Sequence, residues 1–229
     1  MGLCIVKSGS MKIIGLLIVK NEADILNQSL DHMAKWMDGV VAICNGGIET
    51  ADILDSHTII ADWVCMKGCL DESLFVPKLI ELAERFNADW YIDNDADEFF
   101  DPSLRQALEN IEPLYNIATV DIHSELDGRT YDIKKGWRRC YRNKPNLFDY
   151  SVLKKLHGGK TPINKKDARI LDTGCRVIHK PIRSYLQGMY KYNNYLKIDS
   201  EGIQKSYEHI KQLAECLKTG DFTGVQWVS

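Results

Sequence analysis

The first hundred residues alternate two apolar patterns, and few folds accommodate both. "MKIIGLLIV" (11–19) is apolar at nearly every position, as a strand buried on both faces must be. "NEADILNQSLDHMAKW" follows, with Ile25, Leu26, Leu30, Met33 and Ala34 at helical spacing. "GVVAIC" (39–44) predicts a second buried strand closed by "NGG". "ETADILDSH" then predicts a short helix with Thr50 as its N-cap, and "TIIADWVC" a third strand. Residues 73–87 place Leu79, Ile80, Leu82, Ala83 and Phe86 on one helical face, with Pro77 near the first turn, and "ADWYID" predicts a fourth strand. Strand and helix in strict alternation imply an α/β fold with a mostly parallel central sheet flanked by helices.

Beyond Pro113 the pattern loosens. "IATVDIHSEL" predicts a strand, 134–169 is an irregular basic stretch, and "RVIHKPIRS" is a short strand ending at Pro181. From 185 the chain turns helical, and Gly220 suits the C′ position of a last helix with Ile203, Tyr207, Ile210, Leu213, Ala214 and Leu217 on one face. One domain over 11–229 is expected, with residues 1–10 as an ill-ordered leader. "MGLC" is not a myristoylation signal, because Val6 stands where Ser or Thr is needed.

The longest apolar run, "IIGLLIV", is too short to span a bilayer and lacks signal-peptide flanks, so no transmembrane segment and a cytoplasmic location are expected. Seven scattered cysteines without CxxC spacing argue against a disulfide framework. Charge is unevenly spread: Lys134 to Arg183 holds 15 Lys and Arg against Asp149, Asp167 and Asp172, in a chain of net charge -3. A basic segment opposite an acidic one suits an anion bound through a cation bridge, though a solvated face would also explain it. Nucleic acid is not expected as a partner, because the isoelectric point is near 6 and no nucleic-acid motif accompanies the lysines.

"DWYIDNDADEFF" (89–100) ends the fourth predicted strand in Asp93, Asp95, Asp97 and Glu98. In a parallel α/β sheet the ligand crevice lies at the carboxyl ends of the strands, which is where these acids fall. An EF-hand is excluded: Glu98 stands where the loop needs Gly, and Leu104 where it needs a bidentate Glu. Asp101, before Pro102, is explained as a cap for "SLRQALENI". The other four would repel one another without a compensating cation or proton. Hard oxygen ligands of this kind select Mg²⁺ or Mn²⁺, which leave positions for substrate phosphate oxygens.

The motifs, taken in order, resemble the nucleotide-sugar glycosyltransferases of the GT-A fold, family-2-like enzymes in particular. "LLIVKNEADIL" resembles their first strand and nucleoside-contacting loop. "AICNGGIETADILDSH" is similar to their "DNGSTDGT" turn, with Asn45 in place of the usual Asp. "ADWYIDNDADEFF" is similar to "WILFLDADEF", which makes Asp95 and Asp97 the signature pair and leaves Asp93 without a role. "VIHKPIRSYLQ" resembles a late "HxPIRS" element. The likeness covers about residues 11–190.

This resemblance implies a GT-A-like domain with a nucleotide-binding half (11–112) and an acceptor-side half with C-terminal helices (113–229). It implies metal-dependent transfer of a sugar from a nucleoside diphosphate donor, a UDP-sugar foremost, to a hydroxyl of a glycan or glycoconjugate. Asp97 becomes the firmer ligand for Mn²⁺ or Mg²⁺, Asp95 a ligand or a ribose contact, and Glu98 a neighbour of metal or sugar. His179 is a third metal ligand or a structural histidine, with His157 a weaker candidate, while Lys180 and Arg183 would grip diphosphate. Lys20, Asn21 and Glu22 stand where the base is met, although Asn21 also suits an N-cap; Asn45 contacts base or ribose, or only forms the turn; Lys78 nears the nucleotide or is a surface lysine. An inverting enzyme needs a carboxylate base, for which Asp121, Glu125, Asp127 and Asp172 stay open, Asp121 and Asp172 first. The alternatives are a metal-dependent phosphohydrolase or nucleotidyltransferase, and a non-catalytic nucleotide- or metal-binding module.

Overall fold

β1 (Ile13–Val19) lies between β2 (Gly39–Cys44) and β4 (Trp90–Asp95), parallel to both, and β3 (Ile60–Cys65) extends the row beyond β2. Its apolar run divides by period two, as a strand's side chains must. Ile13, Leu17 and Val19 pack into one core with α1 (Ala23–Met33), α2 (Ile48–Ser56) and α4 (Ser103–Glu109). Ile14 and Leu16 pack into a second core with α3 (Phe75–Glu84). Helices on both faces are therefore why the strand carries no polar side.

The computed structural model describes residues 10–67, 72–149, 164, 166–198 and 204–228. Residues 1–9 of the expected leader, and His157, lie outside the described residues. The α/β architecture is as expected, and the order of the eight-stranded sheet is β3-β2-β1-β4-β7-β6-β8-β5. Four of its pairings are parallel and three antiparallel.

The sheet cannot be flat. β5 (Glu98–Phe100) follows β4 after two residues, yet it stands four places away in the order. Four flat spacings would measure roughly 19 Å, whereas the three residues from Asp95 to Glu98 reach at most about 10 Å. The second half, β6 (Ile117–Leu126), β7 (Arg129–Arg142) and β8 (Ile170–His179), must curl to bring β5 back beside the end of β4. The acids thus enter the crevice between two walls of one sheet.

Three details depart from the local reading. Thr50 does not cap α2: the helix begins after Gly47, and Thr50 is buried within it. The chain turns through Gly46 and Gly47 at positive φ, and a Cβ on Gly47 would sit 2.9 Å from both Asn21 Oδ1 and Thr50 Oγ1. The basic stretch from 134 opens inside β7, a 14-residue strand joined to β6 by Asp127 and Gly128, both at positive φ. That "DG" pair is a type I′ hairpin signal. "EFF", finally, is a strand of its own, paired with β8 rather than trailing from β4.

α5 (Tyr185–Ile198) and α6 (Gln204–Thr219) pack on each other in a separate core with Leu126, Ile182, Leu213 and Ala214. A Cβ on Gly188 would lie 2.6 Å from that of Ala214, so glycine there permits the close crossing. Gly220 ends α6 at φ 71 and donates to Cys216 O, as expected of C′. Among the described residues, no helix is long and apolar enough to cross a membrane, and the described cysteines are all free.

Candidate functional site

Register brings the predicted residues to one edge. Val19 of β1 is level with Cys44 of β2, and Ile18 with Asp95 of β4. Lys20-Asn21-Glu22, Asn45 and Asp95-Ala96-Asp97 therefore emerge side by side at the carboxyl ends of three neighbouring strands. Backbone bonds lock them there: Asn45 N–H donates to Val19 O at 2.8 Å and Asn21 N–H to Gly46 O at 3.3 Å. Asn45 is buried and Lys20 half-buried. Asn21 takes φ 54, and Glu22 rather than Asn21 is the N-cap of α1, through its carbonyl.

The fourth wall comes from the far end of the curled sheet. Glu98 is the register partner of His179, and Lys180 N–H donates to Asp97 O at 2.8 Å. His179 Nδ1 meets Ser124 Oγ at 3.3 Å, and its Nε2 lies 3.6 Å from Asp97 Oδ1. Burial lowers the His179 pKa against the pull of Asp97, so the imidazole is neutral near pH 7.

The acids divide into two sets. Arg139, from β7, is buried among Asp93 (3.3 Å), Asp95 (3.4 Å) and Glu98. Burial alone would lower its pKa; Glu98, then Asp93 and Asp95, outweigh that and raise it, so the guanidinium is firmly charged. Asp97, 4% exposed, has a different circle: Lys191 Nζ at 2.9 Å and Arg183 Nη1 at 3.6 Å, besides His179. Burial would raise its pKa, but Lys191 foremost, with His179, pulls it below the usual carboxylate range. Arg183 also forms a bidentate pair with Asp24 on α1 at 2.8 and 2.9 Å. Glu22 is pushed from 4.5 to about 7, first by burial and then by the Asp97 charge.

Arg139, Lys191, Asp24 and Tyr190 escaped the sequence reading. Tyr190 accepts a hydrogen bond from Asn21 Nδ2 at 2.5 Å, so α5 reaches across the edge and touches the first loop. No local pattern marks any of them, because each partner lies far along the chain. Asp101 accepts from Ser103 N–H at 2.9 Å and does cap α4. Lys78 pairs with Glu81 at 2.8 Å on the exposed side of α3.

The structure does not bring the proposed bases to the acids. Asp121 and Glu125 share one face of β6, opposite the face of Ser124 that meets His179. Asp121 accepts from Gly136 N–H, and Glu125 pairs with Arg176. Asp127 is a hairpin-turn residue. Asp172, bonded to Thr119 Oγ1, is seven residues from His179 along β8, roughly 20 Å away.

Among the described residues, no group of three or more His, Cys, Asp and Glu side chains stands ready to hold a metal. A hard divalent ion between phosphates takes only one or two protein carboxylates and completes its shell from phosphate and water. Asp97, Asp95 and His179 are donors of that type, although Arg139 holds Asp95 and Lys191 holds Asp97.

A curled α/β sheet with its loops and acids gathered at one carboxyl edge defines a GT-A-like fold. Solved structures share it: S. aureus TarS 1–349 in complex with UDP-GlcNAc matches at a TM-score of 0.56 and 11% identity, over 88% of this chain and 70% of that one. The same protein in complex with UDP matches at 0.50 and 10%, over 88% and 70%. Against the longer S. aureus TarS chain the match is 0.50 at 11% identity, and this chain, with 87% of its own length aligned, spans only 42% of it. No protein-family model matches the sequence, and no curated protein matches it.

Proposed function

We propose that the chain transfers a sugar from a nucleoside diphosphate donor, UDP-linked, to a hydroxyl of a glycan or glycoconjugate. The observation that carries this reading is Asp97: a buried carboxylate at the carboxyl edge of the sheet, ringed by Lys191, Arg183 and His179. A carboxylate among cations at that position suits a ligand bearing negative charge and a bridging cation at once. The fold likeness to a protein solved with UDP-GlcNAc and with UDP supports a nucleotide sugar as that ligand.

In this reading Asn21, Lys20, Glu22 and Asn45 line the place of the nucleoside. Asp95, whose side chain is 30% exposed, reaches ribose or cation. Asp97, Asp95 and His179 would hold Mn²⁺ or Mg²⁺, which when bound supplies Lewis-acid stabilisation of charge on the departing β-phosphate. Arg183 and Lys191 bind the diphosphate, and the pair with Asp24 orients the Arg183 guanidinium toward it. Half-buried His179 lies 3.6 Å from Asp97 and, neutral near pH 7, adds no charge there.

The test is a thermal-shift screen of nucleotide sugars, with and without Mn²⁺, followed by product analysis of any hit. A ligand of the folded state raises the midpoint according to its binding free energy. A UDP-sugar should stabilise the chain most with Mn²⁺ present, and turnover should release UDP. Release of pyrophosphate or free phosphate, or no shift with any nucleotide sugar, overturns the reading.

A further inference from the structure

β7 runs on where its pairing with β4 stops. β4 meets it only at Cys140–Arg142, so from Lys134 to Arg138 β7 has β6 on one side and, among the described residues, no strand on the other. All five residues of that stretch are exposed, although they adjoin Arg139 and with it the acid cluster. Trp137 is the register partner of Val120 and Lys134 that of Ile122, on the face of β6 that presents Ser124 to His179. Lys135 and Gly136 together oppose Asp121, a bulge with Gly136 at φ 65 and its N–H bonded to Asp121 Oδ1 at 3.0 Å. The extra residue sets Lys134 and Trp137, three apart, on one face, and Lys134 Nζ lies over the indole at 5.6 Å. Lysines and a bulge on an open strand edge guard it against pairing with another chain, which accounts for Lys135. That protection gives no reason for a tryptophan 45% exposed.

We infer that Trp137 and Lys134 form an acceptor subsite for an acidic glycan, the indole stacking on a sugar ring and the ammonium binding a carboxylate or phosphate group beside it. This rests on the nucleotide-sugar reading above and narrows its acceptor class. Trp137 is two residues, at most about 7 Å, from Arg139, whose guanidinium is 3.4 Å from Asp95, so a glycan lying on β7 reaches the carboxyl edge. The C–H face of a pyranose is apolar and slightly positive, and it packs on the negative face of an aromatic ring. Lys134 forms no ion pair among the described residues, Asp132 on its own face included. Its hold on an exposed ring is weak, so its charge is available to an anion. Arg139, Arg183 and Lys191, by contrast, are each committed to a buried carboxylate. Lys135 and Arg138 fall on the opposite face with Asp121 and Thr119.

The experiment titrates the full chain by calorimetry with hyaluronan tetrasaccharide, which carries carboxylates, with mannopentaose phosphate, and with neutral chitotetraose. At least one acidic probe should bind wild type about tenfold more tightly than chitotetraose, and the tighter of the two identifies the acid group. Trp137→Ala should lower that affinity about tenfold, while Trp137→Phe, which keeps an aromatic face, should restore most of it. Lys134→Gln should bring the acidic probe down to the affinity of chitotetraose, and Lys135→Gln, on the opposite face, should change nothing. Chitotetraose binding as tightly as the acidic probes, or Trp137→Ala or Lys134→Gln binding like wild type, overturns the inference. So does Trp137-dependent binding to phosphatidylglycerol vesicles alone, which assigns the patch to a membrane surface. Wild type that binds UDP with Mn²⁺ but neither acidic probe overturns the inference and leaves the donor reading intact. Wild type that binds an acidic probe but no UDP overturns the donor reading, and the acceptor role with it. If Trp137→Ala does not fold, Lys134→Gln decides alone.

Discussion

Arg139 on β7 and Asp93 on β4 meet at 3.3 Å, with the guanidinium 6% and the carboxylate 10% exposed. Asp93 is the acid with no counterpart in the resembled motif, and this pairing explains it. Asp93 shares with Asp95 and Glu98 a buried cation that joins the parallel half of the sheet to the antiparallel half.

Removing that cation leaves buried carboxylates facing one another. Arg139→Ala should destabilise the chain by about 3–5 kcal/mol, the cost of breaking a buried ion pair from one side. Urea denaturation at fixed pH measures it; a loss below about 1 kcal/mol would mean that the acids find other compensation.

Asp97→Asn keeps the shape of the side chain and removes the charge that meets Lys191 and Arg183. UDP-sugar affinity in the presence of Mn²⁺ should fall by roughly 100-fold, with the circular dichroism spectrum of the folded chain preserved. Unchanged affinity measured by calorimetry would remove Asp97 from the site.

Glu22 gives a pH signature. Its carboxyl titrates at about 7 when folded, against 4.5 ordinarily. Between those values the folded chain keeps a proton that the unfolded chain releases, so stability falls as pH rises across that range. Glu22's contribution is complete below 4.5 and lost as pH passes 7. Glu22→Gln should flatten the decline in denaturation free energy across this window. An identical slope in both proteins would show that Glu22 is not the group responsible.

Gly47 combines φ 89 with a site where a Cβ would crowd Asn21 Oδ1 and Thr50 Oγ1 at 2.9 Å. Gly47→Ala should cost about 1–3 kcal/mol in backbone strain. It should also weaken UDP binding, since Asn21 must shift. A thermal melt and a UDP titration report the two effects separately, and a variant as stable as wild type would show that the turn relaxes freely.

Much of the first half was legible because its information is local. The β1 run, the α1 and α3 periodicities and the "DADEF" acids each declare themselves within a dozen residues, and parallel connectivity then places the strand ends on one edge. β7 was missed although Asp127-Gly128 signals the hairpin before it, since a charged, half-exposed strand shows no apolar alternation. Arg139 and Lys191 could not be found that way. Arg139 is one of several basic residues in "WRRCYR", and Lys191 one lysine in "MYKYNNYLK". Their ion pairs span 41 to 46 residues for Arg139 and 94 for Lys191 to Asp97.

By itself the sequence determined the α/β class, the crevice edge and the carboxylates that line it, because strand burial, helix periodicity and chain direction are short-range consequences of side-chain chemistry. Only the tertiary structure decided how those carboxylates are compensated. The two-residue step from β4 to β5 forces the sheet to curl, the curl carries His179 in from the opposite wall, the pairing of β7 with β4 sets Arg139 beside Asp93, and α5 packing on α6 delivers Lys191. Charge balance in a buried cluster is a property of what surrounds it in space, and the chain brings those surroundings together only when it closes.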